Sequence, residues 1–345
     1  MSLSLPTPPF YAIPNINNLR DAALFPGGLP TTTGGKVRPG ILFRSADVSQ
    51  LDRGGWKAMR EIGIGHVFDL RSKPEVEKEG VDVDPMGVRP GWIQMMEAEG
   101  VERTWVPVFE ESDYSPERLA ERYLKYMGEG VEGFVQAYHD ILLHAGTSFR
   151  TILLYLANLP PPTPIPTLDT PKPSTFLSND PSAPTPQITT TNQPLGALIH
   201  CTAGKDRTGI FFGILLSFLG VPIPTIAAEY NLTETGLQHA RDGLVARLMK
   251  SPGFKKYTLT QMAGREMKSA GGAGEGEMEK EIPKEVLEKG RKAALRMVGA
   301  RVESMVEALG MVEREWGSAE GYLRRVCGLG DEELEDIRRV LVVGG

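Results

Sequence analysis

Short apolar runs rich in β-branched and aromatic residues lie at Val37–Phe43, His66–Leu70, Arg103–Phe109 and Leu195–Ile199, each bounded by glycine, proline or charge. Runs of this length and character predict strands, and the four together predict one sheet. Apolar positions at helical spacing predict helices over Gln50–Ile62, Ser115–Leu143, Thr208–Leu219, Thr225–Met249 and Pro283–Glu315. Ser115, Pro116 and Glu117 read as the N-cap and first two positions of the second helix. Alternation of the two patterns predicts an α/β architecture with a helical half. The most apolar stretch, Gly209–Val221, falls short of the roughly 20 residues a bilayer-spanning helix needs. It predicts a buried core helix, and no transmembrane segment is expected.

Two stretches carry neither pattern. Residues 160–194 hold 11 of the chain's 27 prolines among Thr, Ser, Asn and Gln, and offer few large apolar groups. They predict an extended, disordered surface insertion, either a tolerated loop expansion or a docking segment for a proline-recognising partner. Residues 264–283, with the run SAGGAGEGEMEKE, predict a Gly-rich loop. Over 345 residues, 41% hydrophobic and 24% charged, the composition excludes a collagen, a coiled coil and a wholly disordered chain. A net charge of −6 provides no global field for nucleic acid, so none is expected as a partner and anionic ligands must be met locally. Only two cysteines, Cys201 and Cys327, and an N-terminus without a secretory pattern point to a reducing, cytoplasmic location.

The informative segment is Gly196–Gly209, GALIHCTAGKDRTG, whose pattern is strand, loop, helix. His next to Cys, with Arg six residues after the cysteine, has a chance expectation of roughly 0.002 in a chain of this composition. A thiol at the start of a tight loop before a helix sits where the amides of Thr202, Ala203, Gly204, Lys205 and onward to Thr208 converge on one point. Such amides, the helix N-terminus and Arg207 favour a thiolate at Cys201 and bind a phosphoryl group, Arg207 giving parallel donors to its oxygens. Thr208 is expected to donate its hydroxyl to the sulfur, and His200 to hold the loop by hydrogen bonds. The competing reading, an inert core thiol, suits Cys327 but leaves three consecutive charges, Lys205, Asp206 and Arg207, unexplained at Cys201. The chain has no G-x-x-x-x-G-K-[ST] nucleotide loop, and His139 and His144 are five apart rather than four, so no metal or cofactor is expected.

His200 to Thr208 match H-C-x-x-x-x-x-R-[ST], and the longer string resembles the tyrosine/serine phosphatase branch of the cysteine-based protein tyrosine phosphatases of bacteria and fungi. Asn18–Asp21 (NLRD), Gly35–Gly40 (GKVRPG), Leu42–Ser45 (LFRS), Phe68–Ser72 (FDLRS) and Gly317–Leu323 (GSAEGYL) resemble further motifs of that branch. The resemblance implies a single domain over residues 1–159 and 195–345. It also implies a mainly parallel sheet flanked by helices, the nucleophile loop at a strand's carboxyl end, and a helical lid within 115–159. The implied function is phosphomonoester hydrolysis on a phosphoprotein or phosphoinositide substrate, with Cys201, Asp206 and Arg207 catalytic. Rival readings are a catalytically weak phosphate-binding adaptor and a rhodanese-like sulfurtransferase, although loop length and the Arg207-Thr208 ending favour phosphate.

Three assignments stay open on sequence. Lys205 either adds a cation for highly charged substrates such as phosphoinositides or balances Asp206. Arg44 and Arg71, at predicted strand ends, either meet substrate or pair with Asp21 or Asp69. No Trp-Pro-Asp string supplies a general acid. Asp206 is expected in that role, with Asp113, after the Trp105 strand, and Asp69 in reserve; the competing role for Asp206 is to brace the loop through backbone amides.

Overall fold

The computed structural model describes residues 5–77, 90–110, 116–162, 195–251, 254 and 284–344. The segments expected as a disordered insertion (but for 160–162) and a Gly-rich loop, and Ser115, lie outside the described residues. The strands are β1 (Arg20–Asp21), β2 (Lys36–Val37), β3 (Leu42–Ser45), β4 (Ile64–Asp69), β5 (Glu102–Trp105), β6 (Gly196–His200) and β7 (Val342–Val343). The first helices are α1 (Arg53–Glu61), α2 (Lys73–Val76), α3 (Gly91–Ala98), α4 (Pro116–Met127), α5 (Glu132–His144) and α6 (Gly146–Ala157). After β6 come α7 (Asp206–Phe218), α8 (Ile223–Gly236), α9 (Arg241–Met249), α10 (Lys284–Val298), α11 (Val302–Trp316), α12 (Ala319–Arg325) and α13 (Asp331–Leu341).

Five strands form one sheet in the order β1-β3-β6-β4-β5. β3, β6, β4 and β5 run parallel, and only β1, at one edge, is antiparallel. β6 is central and buried at all five positions, which explains its unbroken apolar run. Ser45, His200, Asp69 and Trp105 stand in register, so four strands reach their carboxyl ends together and Cys201 follows the middle of that row. One face of the sheet packs on α1 and α3, where Trp56 and Trp92 stack at 6.2 Å. The other packs on α7, which is apolar on every side and walled in by α5, α6, α8 and α11. A smaller cluster, Met127, Val245, Phe254, Ala293 and Ala294, joins α4, α9 and α10.

Several predicted elements are cut by glycine or proline. The run Val37–Phe43 is two strands in two sheets. Pro39 has no amide to donate and Gly40 takes φ +79°, so the chain turns between β2, which pairs with β7, and β3. The run at Arg103–Phe109 ends as a strand at Trp105, since Val106 and Val108 donate back to Asp69 and Leu70. Ser115–Leu143 divides at Gly128–Gly130, Thr225–Met249 at Gly236, and Pro283–Glu315 at Gly299, because amphipathic spacing persists across a residue that ends a helix. The segment expected as a lid serves two ends: Phe134, Tyr138, Ile141, Phe149 and Ile152 of α5 and α6 build the core, and α4 approaches the loop after β6.

Candidate active site

Cys201 leaves β6 buried, and residues Thr202–Lys205 bend before α7 opens at Asp206. Gly204 has φ +63°, and a Cβ there would lie 2.1 Å from the Ser45 carbonyl oxygen, so both conformation and space demand glycine. The carbonyls of the loop are drawn outward by fixed donors. Asp47 N donates to Thr202 O at 3.1 Å, Asn18 Nδ2 to Ala203 O at 3.2 Å, and Arg44 Nη2 to Gly204 O at 2.9 Å. Asn18 reaches in from a left-handed conformation, φ +59°, that asparagine tolerates better than most residues. Among the described residues, none of the amides of Thr202–Lys205 is given to a backbone carbonyl. The loop therefore has the build of an anion nest with Cys201 at its mouth.

Two buried ion networks support it. Glu229 of α8 accepts from Arg20 Nε at 2.7 Å and Arg44 Nη1 at 2.6 Å, with all three side chains essentially inaccessible. Burial acts to raise the Glu229 pKa, but the two guanidiniums hold it below the usual carboxylate value; burial also brings Arg20 down to about 10. On the other side, Arg71 grips both oxygens of Asp69, at 2.9 and 2.8 Å, and Arg103 adds a third contact at 2.9 Å. Burial opposes charge on Asp69, but His200, Arg71 and Arg103 keep its pKa below the ordinary range. His200 stands 3.5 Å from Asp69, and burial depresses its pKa to about 4.

Arg207 is clamped by Glu75 of α2: Nη1 donates to Oε2 at 2.6 Å and Nη2 to Oε1 at 2.7 Å, with further bonds to Leu70 O and Thr202 Oγ1. Thr202 donates its own hydroxyl to Glu75. The clamp stands at the start of α2, where Ser72 N and Ser72 Oγ both donate to Glu75 Oε2 at 3.0 Å and hold the carboxylate in place. Thr208 Oγ1 is buried and makes no hydrogen bond. Asp206 occupies the first turn of α7, its side chain 26% exposed; its buried Oδ1 lies 3.1 Å from the Lys205 ammonium and accepts no aligned hydrogen bond.

The loop thus unites Cys201, Thr202, Ala203, Gly204, Lys205, Asp206, Arg207 and Thr208. Lys205, expected among the phosphate-binding residues, gives its ammonium to Met297 O and Gly299 O. Asp69, buried with both oxygens held by arginine, has no proton to give. Asp113 lies outside the described residues. Arg71 pairs with Asp69 as anticipated, but Arg44 pairs with Glu229 rather than Asp21, and both guanidiniums are too buried to meet substrate. Sequence reasoning missed Glu75 and Glu229. The S-x-x-E spacing of Ser72 and Glu75 marked the first; nothing in the sequence set Glu229 apart from Glu234 on the same helix. Among the described residues, no group of three or more His, Cys, Asp or Glu could hold a metal ion, and no helix is long and apolar enough to cross a membrane.

A cysteine opening an anion nest at the carboxyl end of a parallel sheet is the arrangement of a cysteine-based phosphatase. The profile of the tyrosine phosphatase family matches residues 11–168 and 185–343, and the chain belongs to that family, whose members are protein tyrosine phosphatases. The break in the match falls inside the proline-rich stretch. The triple specificity protein phosphatase PtpB of Mycobacterium tuberculosis is 24% identical over 330 residues, 96% of this chain and 98% of the relative. A Cupriavidus necator protein with a provisional tyrosine-protein phosphatase name is 23% identical over 313 residues, 91% and 82% of the two chains. A tyrosine-protein phosphatase of Nostoc commune is 56% identical over 36 residues, 10% of this chain and 12% of its own.

Proposed function

We propose that the protein hydrolyses phosphotyrosine, and phosphoserine or phosphothreonine, in proteins through a cysteinyl-phosphate intermediate on Cys201. One observation carries this reading: the carbonyls of Thr202, Ala203 and Gly204 are all engaged from outside by Asp47, Asn18 and Arg44, which leaves the loop amides for an anion beside the sulfur. In the first step the Cys201 thiolate attacks phosphorus, the S–P bond forms, the ester P–O bond breaks, and Asp206 protonates the leaving oxygen. The equatorial oxygens take donors from the nest and from Arg207, which exchanges part of its pairing with Glu75 and Thr202 for phosphate as charge develops. In the second step water attacks phosphorus and gives a proton to the Asp206 carboxylate. The S–P bond breaks, inorganic phosphate leaves, and the unpartnered Thr208 hydroxyl stabilises the departing thiolate.

Asp206 is assigned as acid because Asp69 is locked as a carboxylate and Asp206 keeps a partly exposed carboxyl group in the loop itself. Phosphoinositides fit less well than phosphoproteins, since the extra cation that favoured them is committed elsewhere. The deciding experiment is turnover of a small aryl phosphate in EDTA by the wild type and Cys201→Ser. Vanadate-sensitive turnover by the wild type alone is expected. Equal rates would overturn the covalent route. Phosphopeptide binding without turnover by either protein would favour the adaptor, and thiocyanate formation from thiosulfate and cyanide the sulfurtransferase.

A further inference from the structure

A lysine within a phosphate-binding loop invites assignment as a second substrate cation. Its surroundings here say otherwise. Lys205 is 2% exposed, and its ammonium donates to Met297 O at 2.5 Å and Gly299 O at 3.2 Å. Those carbonyls belong to the last turn of α10 and the residue just beyond it, where helix carbonyls lack partners of their own and the helix dipole is negative. Asp206 Oδ1 lies 3.1 Å away, and the rings of Tyr126 and Phe134 stand 5.2 and 5.0 Å from the nitrogen. Two carbonyls thus accept protons from this ammonium, and the Asp206 carboxylate adds an opposite charge without an aligned hydrogen bond. Two aromatic faces close the remaining sides, from α4 and α5.

We infer that Lys205 is a positioning residue that fastens the catalytic loop to the C-terminal end of α10 and to the α4–α5 aromatic pair, and that it does not discriminate substrates by charge. The residue directly before it is Gly204, whose carbonyl Arg44 holds, and the one directly after is Asp206. Lys205 thus anchors the loop from the helical side as Arg44 and Asn18 anchor it from the sheet side. Loosening that anchor shifts the nest and Asp206 together, which disturbs the transition state more than ground-state binding.

The inference rests on the phosphatase reading, and its test separates the two. Wild type, Lys205→Met and Phe134→Leu are compared on an aryl phosphate, a phosphotyrosine peptide and a short-chain soluble phosphatidylinositol bisphosphate. Lys205→Met is expected to lose about tenfold or more in kcat on every substrate turned over, with KM within about twofold and the ratios among substrates unchanged. Phe134→Leu is expected to give the same pattern in weaker form. Amide hydrogen exchange at Gly299 and Ala300, which donate to Arg296 O and Glu234, is expected to quicken in both variants. A loss borne by KM, or one about fivefold greater on the bisphosphate than on the aryl phosphate, would overturn the inference. If Lys205→Met does not fold, Phe134→Leu decides alone: wild-type exchange at Gly299 and Ala300 would overturn it. Exchange needs no chemistry, so a wild type inactive on all three substrates refutes the phosphatase reading and leaves this one to be decided by exchange.

Discussion

Replacing Glu229 with Gln should injure stability and catalysis together. The carboxylate is the shared partner of two guanidiniums with no solvent access, Arg20 and Arg44. Gln keeps the shape, but its one carbonyl oxygen serves one guanidinium and turns an NH2 donor toward the other, leaving a buried cation facing a donor. Breaking a buried pair from one side costs about 3–5 kcal/mol. With an unfolding entropy near 2.1 cal/mol/K per residue, that lowers Tm by roughly 4–7 °C for a chain of this length. Arg44 also holds the Gly204 carbonyl, so kcat/KM on an aryl phosphate should fall at least about tenfold, equal to about 1.4 kcal/mol of transition-state stabilisation. Calorimetry at pH 7 and steady-state kinetics well below the new Tm measure the two losses separately. A Tm within about 1 °C of wild type, together with kcat/KM within about twofold, would refute the account of how the loop is held.

Asp206→Asn should slow aryl phosphates with poor leaving groups far more than those with good ones, because only the former need a proton as the bond breaks; equal slowing of both, measured across a leaving-group series, makes Asp206 a scaffold residue. Gly204→Ala sets a Cβ 2.1 Å from the Ser45 carbonyl oxygen and forces alanine to positive φ, so vanadate affinity and turnover should fall at least about a hundredfold; near-normal vanadate binding by calorimetry would contradict the loop geometry. Asp21 is buried and its pKa is pushed up to about 6, burial outweighing the amides of Gly40 and Ala23. The folded state therefore binds the extra proton, and stability from this group is lost as pH rises from about 4 to 6, by roughly 3 kcal/mol. In Asp21→Asn the slope should vanish, so the Tm of the variant relative to wild type should climb across that window; a constant difference from pH 4 to 7 would exclude the linkage.

The catalytic loop was legible because its chemistry needs neighbouring residues. A thiol, a run of amides, an arginine and a helix N-terminus all fall within Cys201–Thr208, and a local pattern suffices to find them. Its supports were not, because Glu75, Glu229, Asn18 and Arg44 come from four other parts of the chain, and an acid does not announce which arginine it will meet. Lys205 stayed open for a related reason: sequence gives its neighbours along the chain, Gly204 and Asp206, but not the carbonyls of Met297 and Gly299 some 90 residues away that claim its charge. Strand positions were read well at the centre of the sheet, where both faces are apolar. Helix ends were read poorly wherever a single glycine interrupted a continuing amphipathic stripe, as at Gly236 and Gly299.

The place of β6 between β3 and β4 has a consequence for how the chain is made. About 150 residues separate β3 from β6, so this pairing carries high contact order and forms slowly. Until β6 arrives, the sheet exists only as two ribbons, β1 with β3 and β4 with β5, each presenting an open inner edge. A nascent chain reaches that stage with most of its N-terminal half already synthesised, and those edges are where it would pair wrongly with another copy or engage a chaperone. The strand that closes the gap is the one that ends in Cys201. Assembly of the nucleophile's loop and completion of the sheet are then one event, and a chain stalled before it holds the motif's supports in separate pieces.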